Sequence, residues 1–141
     1  MKAAELMIGD YVQLRDAIKV RYNKVTAIRD DGNDQRFVRT IESDVFICEE
    51  NCLPIPLTDE ILRKNGIELV EVGDNGISTP PKNRNRYEKW FIHTTFRDTY
   101  LWHDRLADYW HLQDMNAFWI NNVHELQHAL RMAKIDMEIV L

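Results

Sequence analysis

The sequence predicts an α+β protein: an SH3-like small β-barrel over residues 1–57, then an antiparallel sheet with one amphipathic C-terminal helix over residues 58–141. Three observations carry that expectation. Short runs in the first part alternate apolar and polar residues with period two, the mark of half-buried strands. The segment Pro54-Ile55-Pro56-Leu57-Thr58 forces extended backbone and ends on a good helix N-cap, so it separates two parts of the chain. The clearest 3.6-residue apolar stripe lies near the C-terminus, in Val123, Leu126, Ala129, Leu130 and Ala133.

Taken in order, Ile8-Gly9-Asp10 is a turn feeding a strand in which Tyr11 is opposed in phase to Val12 and Leu14. Ile18 to Tyr22 alternates in the same way, with Val25 and Ile28 following. Asp30-Asp31-Gly32-Asn33 is hairpin chemistry, because Gly and Asn accept positive φ. Phe37 to Ile41 and Val45 to Cys48 read as two further strands, and several short strands in so little chain suggest closure into a small barrel. Thr58 to Asn65 is a short helix with Asp59 and Glu60 in its first turn and Gly66 after its end. Ile67 to Val72 is a strand, and residues 73–86 are a loop. Tyr87 to Phe96, Thr99 to His103, Tyr109 to Leu112 and Ala117 to Ile120 read as antiparallel strands. A helix over 121–133 and an alternating last strand over 135–141 complete the chain.

Composition narrows the function classes. The 141 residues are 45% hydrophobic and 29% charged, typical of a globular chain of one ordinary domain or two very small ones. The net charge of −5 argues against a dedicated binder of duplex DNA or of an anionic membrane surface, both of which need a basic face. No window approaches the roughly eighteen consecutive apolar residues of a membrane helix, and Met1-Lys2-Ala3-Ala4-Glu5-Leu6 does not resemble a secretory leader. Cys48 and Cys52 fit neither a C-x-x-C redox motif nor a four-ligand zinc site, so two free thiols and a cytoplasmic location are expected.

The distribution is uneven. Residues 87–128 hold ten of the fourteen aromatics, all four tryptophans and all five histidines. Charge does not follow that skew: residues 1–57 carry eight cations against ten anions, and residues 58–141 carry ten against thirteen.

His124-Glu125-Leu126-Gln127-His128 matches H-E-x-x-H, in which two histidines one helical turn apart bind zinc and the glutamate activates the metal-bound water. A catalytic zinc needs a third protein ligand, and only thirteen residues follow His128. Glu138 is the one glutamate among them, and Arg131 places a fixed cation one turn from His128. A solvated polar face made of His124, Gln127, His128 and Arg131 is therefore the expected reading. A zinc hydrolase using His124, Glu125 and His128 is the alternative. His93-Thr94-Thr95 fits half of a paired H-x-T phosphoesterase motif without its second copy. Lys82, Arg84, Arg86 and Lys89 form a basic loop beside Tyr87 and Trp90, the composition a nucleotide or single-stranded nucleic acid needs and also that of an ordinary solvated loop. Lys82, Arg84, Arg86, Tyr87, Trp90 and Trp102 are thus the candidate partner- or ligand-binding residues. Trp90, Trp102, Trp110 and Trp119 are expected as core and sheet-face packing rather than a sugar platform, and two of them exposed together would mark an interface.

Three segments carry a family resemblance: Glu5-Leu6-Met7-Ile8-Gly9-Asp10-Tyr11-Val12, the join from Leu53 through Pro54-Ile55-Pro56-Leu57-Thr58 to Gly66, and Val123-His124-Glu125-Leu126-Gln127-His128-Ala129-Leu130. They resemble small proteins of unknown function from phages, prophages and mobile elements of gut anaerobic bacteria, which read like L-R-I-G-N-x-V, P-I-P-L-T-E-E-x-L-x-K-x-G-F and V-H-Q-L-Q-N-L-Y. The resemblance implies Gln in place of Glu125 and Asn in place of His128, so H-E-L-Q-H arises here from a V-H-x-L-Q-x motif. It implies structural roles for His124 and Gln127 and supplies no catalytic residue. The expectation is a non-enzymatic accessory protein acting as an interaction module, with a protein partner or self-association and no cofactor.

Overall fold

Gly9 opens the first sheet. Its φ of 97° suits the third position of the turn in which Asp10 N–H donates to Met7 C=O at 3.1 Å. The Asp10 carboxylate then accepts from Met7 N–H at 2.7 Å. In the computed structural model the described residues are 6–15, 21–33, 35–73, 86–94, 98–113 and 119–141. Contacts divide the chain into two compact units, Met1–Pro56 with Asn122–His124, and Leu57–Asn121 with Glu125–Leu141.

The first unit carries β1 (Tyr11–Leu14), β2 (Arg21–Asp30), β3 (Arg36–Thr40), β4 (Ser43–Cys48) and β5 (Cys52–Leu53) in an antiparallel sheet of order β4-β3-β2-β1-β5. The long β2 pairs with β1 through Arg21–Lys24 and with β3 from Val25 to Asp30, across a bulge between Val25 and Ala27. Such a bulge bends a strand and increases its twist. The β2–β3 turn holds Gly32 at φ 82°, with Asp30 and Asp31 carboxylates accepting from Gly32 and Asn33 N–H. A single 3-10 turn, Glu49–Asn51, leads into β5. Among the described residues no ladder joins β4 to β5, so the sheet is open where the sequence suggested a closed barrel. Leu6, Val12, Val25, Val38 and Cys52 form its core, with Leu14 and Ile28 against them.

The second unit begins with α1 (Asp59–Lys64), whose N-cap Thr58 hydroxyl accepts from Ile61 N–H at 3.3 Å. Next come β6 (Glu68–Gly73), β7 (Tyr87–Ile92), β8 (Thr99–Asp104), β9 (Tyr109–Leu112) and β10 (Trp119–Ile120), an antiparallel meander of order β10-β9-β8-β7-β6. The main helix, α2 (Val123–Met132), follows, so the class is α+β with two sheets. Buried residues of this unit include Leu62, Ile67, Trp90, Ile92, Leu101, Trp110, Leu112, Ile120, Leu126 and Leu130. No helix among the described residues is long and apolar enough to cross a membrane.

Two expectations need correction. Residues 135–141 form no ladder: side-chain carboxamides take the place of a neighbouring strand. Gln127 Nε2–H donates to Met137 C=O at 3.0 Å and Gln127 Oε1 accepts from Ile139 N–H at 2.7 Å. Asn65 pairs in the same two-way manner with Val140. Nor is the polar face of α2 solvated throughout, because His124 and Gln127 are 3% and 4% exposed. A buried carboxamide is tolerable when its donors and acceptors are matched, and this requirement is what places Gln127 inside.

Candidate functional site

Strand alternation sorts the aromatic-rich second sheet into two faces. On β7, Glu88, Trp90 and Ile92 are buried, while Tyr87, Lys89 and Phe91 are half-buried on the opposite face. Tyr100 and Trp102 on β8, Tyr109 and His111 on β9 and Trp119 on β10 fall on that open face by register. Trp119 is 62% exposed.

The rings of the open face form a chain of contacts. Phe91 and Tyr100 lie 5.6 Å apart between centroids, and Lys89 Nζ sits 4.0 Å over Tyr100 and 5.2 Å over Trp102. Trp102 and His111 are parallel within 9° at 6.5 Å, Tyr109 is 6.3 Å from His111, and Trp119 stacks on Tyr109 at 4.7 Å. Burial holds the His111 pKa below the ordinary histidine value, against the opposing charge of Asp104. The face carries cations and anions together. Glu71 is the register partner of Lys89. Arg86 is committed to Asp104 through Nε at 3.2 Å and Nη2 at 2.9 Å. Burial pushes the Asp104 carboxyl up, but Arg86 and the N–H groups of Ala107 and Leu106 outweigh it and hold the group below the usual carboxylate range.

The buried face carries a second polar cluster. His103 lies flat on Trp110 with centroids 3.9 Å apart, its Nδ1 2.9 Å from Glu88 Oε1 and its Nε2 3.1 Å from Asp108 Oδ1. Arg105 Nε stands 3.7 Å from the same Glu88 oxygen. A histidine beside a carboxylate resembles an oriented base, but both ring nitrogens are already engaged and neither is offered to a substrate.

Of the residues singled out by sequence, Lys82 and Arg84 lie outside the described residues. Arg86 and Tyr87 stand together, the guanidinium 5.1 Å from the ring centroid. Trp90 and Trp102 fall on opposite faces because Trp102 pairs with Lys89, one position out of phase with Trp90. Trp90 is wholly buried against Trp110 and cannot meet a ligand at the surface. Period two along β7 carries the signal that separates Trp90 from Lys89 and Phe91, whereas Tyr100, Tyr109 and His111 join that face only through the cross-strand register.

On α2, His124 is buried, and Glu125 and His128 are half-buried. Glu138, the remaining candidate ligand, faces Arg131 at 3.5 Å. Among the described residues no three His, Cys, Asp or Glu side chains are grouped to hold a metal ion. His93 bonds Asp98 at 2.7 Å. Cys48 and Cys52 are free thiols, and burial, then the nearby Cys48, pushes the Cys52 pKa up to about 11, which leaves it unreactive. The chain matches no family model, and neither curated proteins nor solved structures yield a match.

Proposed function

We propose that the protein is a non-enzymatic interaction module, of the phage and mobile-element accessory type its sequence resembles, that takes a protein partner on the open face of the second sheet. One observation carries this reading: the exposed Trp119, stacked on Tyr109, continues into the ring contacts of His111 and Trp102, which Lys89 joins to Tyr100. Tryptophan and tyrosine supply much of the binding energy at protein interfaces, and rings already packed together lose little side-chain freedom on docking. The balance of charge favours a protein over a polynucleotide, since Glu71 is the cross-strand neighbour of Lys89 and Arg86 is spent on Asp104. For the first unit, the strand order, the bent β2 and the 3-10 turn before β5 support an SH3-like reading.

The test is photo-crosslinking in the native host, with benzoylphenylalanine in place of Trp119 and, as control, in place of the exposed Val45 of β4. One dominant protein adduct is expected from position 119, absent from position 45 and lost when Trp102→Ala is added to a folded variant. An adduct with the chain itself would make a second copy the occupant. Nucleic acid captured at 119, or the same adducts from both positions, would sink the proposal.

A further inference from the structure

Only four aromatic residues lie outside residues 87–128: Tyr11, Tyr22, Phe37 and Phe46. None of them is in the core of the first unit, which is built from Leu6, Val12, Val25, Val38 and Cys52. The register places Tyr11, Tyr22 and Phe37 on the other side of that sheet, and Arg29, which lies over both Phe37 and Phe46, puts Phe46 there with them. Tyr11 pairs with Lys24 and Tyr22 with Gln13, each one residue out of phase with the buried Val12–Asn23 pair. Phe37 pairs with Arg29 and with Cys48, one residue from the inward Val38–Ile47 pair. A chain that needed these rings for stability would turn them inward, where aromatic area contributes most.

Each ring carries or neighbours a cation. Arg29 lies over both Phe37 and Phe46, at 5.3 and 4.7 Å from their centroids, and Arg39 lies 5.5 Å from Phe46. Lys24 Nζ stands 5.7 Å from the Tyr11 ring. Among the described residues no carboxylate comes within ion-pair distance of Lys24, Arg29 or Arg39, whereas Arg36 nearby is paired with Asp30 at 3.6 Å. Three unopposed cations on one sheet face are unexpected in a chain whose acidic residues outnumber its basic ones by 23 to 18.

We infer that this outer face of the first sheet binds single-stranded nucleic acid. The rings hold the guanidinium groups against the sheet, leaving N–H groups for phosphate oxygens and an outward plane on which a base can stack. Tyr22, 48% exposed, offers a further ring on the same face, two residues along β2 from Lys24. An acidic peptide would use the cations but has no need of four rings. A duplex hides the faces of its bases. The site is independent of the partner face proposed on the second sheet.

The test is fluorescence anisotropy on the full chain with labelled oligo-dT and oligo-U of about 15 nucleotides, a length within the usual span of one such site, in about 50 mM salt and upward. Binding is expected to weaken at least tenfold in Arg29→Ala/Arg39→Ala. The slope of log affinity against log salt should fall by about 1.4, as two phosphate contacts are lost. Phe46→Leu, which keeps apolar bulk without the ring, should weaken binding and leave the slope unchanged. Lys64→Ala on α1 should bind as the unaltered chain does, and circular dichroism must show each variant folded. No binding in low salt, equal binding by the double variant, equal affinity for a duplex, or equal competition by polyglutamate or phosphatidylserine vesicles would each overturn the inference.

Discussion

Asn65 and Val140, 75 residues apart in sequence, exchange two hydrogen bonds: the carboxamide of Asn65 donates to Val140 C=O at 2.8 Å and accepts from Val140 N–H at 2.7 Å. This is the exchange a β-strand residue makes with its opposite number, performed by a side chain. Asn65 also donates to Ile61 C=O at 2.8 Å, so the residue that ends α1 anchors the C-terminal segment as well. Gln127 does the same work from α2 on Met137 and Ile139.

The Gln127 bonds yield the first prediction. Ile139 is 2% exposed and its N–H has Gln127 Oε1 as acceptor, so Gln127→Leu strands a buried donor. A loss of about 1–3 kcal/mol is expected in urea unfolding. Gln127→Glu keeps the acceptor but loses the donor to Met137, and should also be less stable than the parent. A Gln127→Leu chain as stable as the parent would show that the C-terminal segment is held some other way.

Trp90 and Trp119 should separate stability from binding. Trp90 is wholly buried with Arg63 over its ring at 5.2 Å, so Trp90→Ala should cost about 3–5 kcal/mol. Trp119 is 62% exposed at an edge strand, and Trp119→Ser should change stability by no more than about 0.5 kcal/mol. Equal destabilisation by the two, measured by denaturant midpoint, would mean that Trp119 is a packing residue and would remove the anchor of the proposed partner face.

Much of this architecture is written in local pattern. Thr58 with Asp59 and Glu60 specifies the start of α1, and Val12 and Leu14 in opposite phase to Tyr11 specify the faces of β1, because caps and period-two alternation act over a few residues. The C-terminal segment misled for the same reason. Ile135 and Ile139 are indeed buried on one side, but alternation records which side faces inward and not whether another strand lies alongside. The outer face of the first sheet was invisible to charge counting. Residues 1–57 sum to a negative value, and only the fold brings Arg29 and Arg39 to one phenylalanine.

The H-E-L-Q-H helix predicts an outcome with zinc. His124 is 3% exposed and Glu138 is drawn to Arg131, so the motif offers neither an accessible pair of imidazoles nor a free third carboxylate. Protein dialysed against zinc and then buffer should retain far less than one equivalent by elemental analysis, and His128→Ala should change nothing. One equivalent in the parent, lost in His128→Ala, would revive the hydrolase reading.

Two groups predict how stability depends on pH. His111 has its pKa lowered from 6.5 by burial, so as pH falls through about 6.5 the unfolded chain takes up a proton before the native one does. The contribution of neutral His111 is therefore complete above that pH and is lost as pH falls towards the folded value. Asp104 is held below the ordinary aspartate value of 3.8, so its stabilisation is complete above that pH and is lost only on further acidification. The urea midpoint, followed from neutral pH downward, should decline in two separable stages. His111→Gln should flatten the first stage and leave the second. Asp104→Asn, less stable at neutral pH because Arg86 loses its charged partner, should flatten the second and deepen the first, since the Asp104 charge opposes the lowering of the His111 pKa. A His111→Gln chain that loses stability below pH 6.5 as steeply as the parent would show that the open-face histidine is not the group responsible.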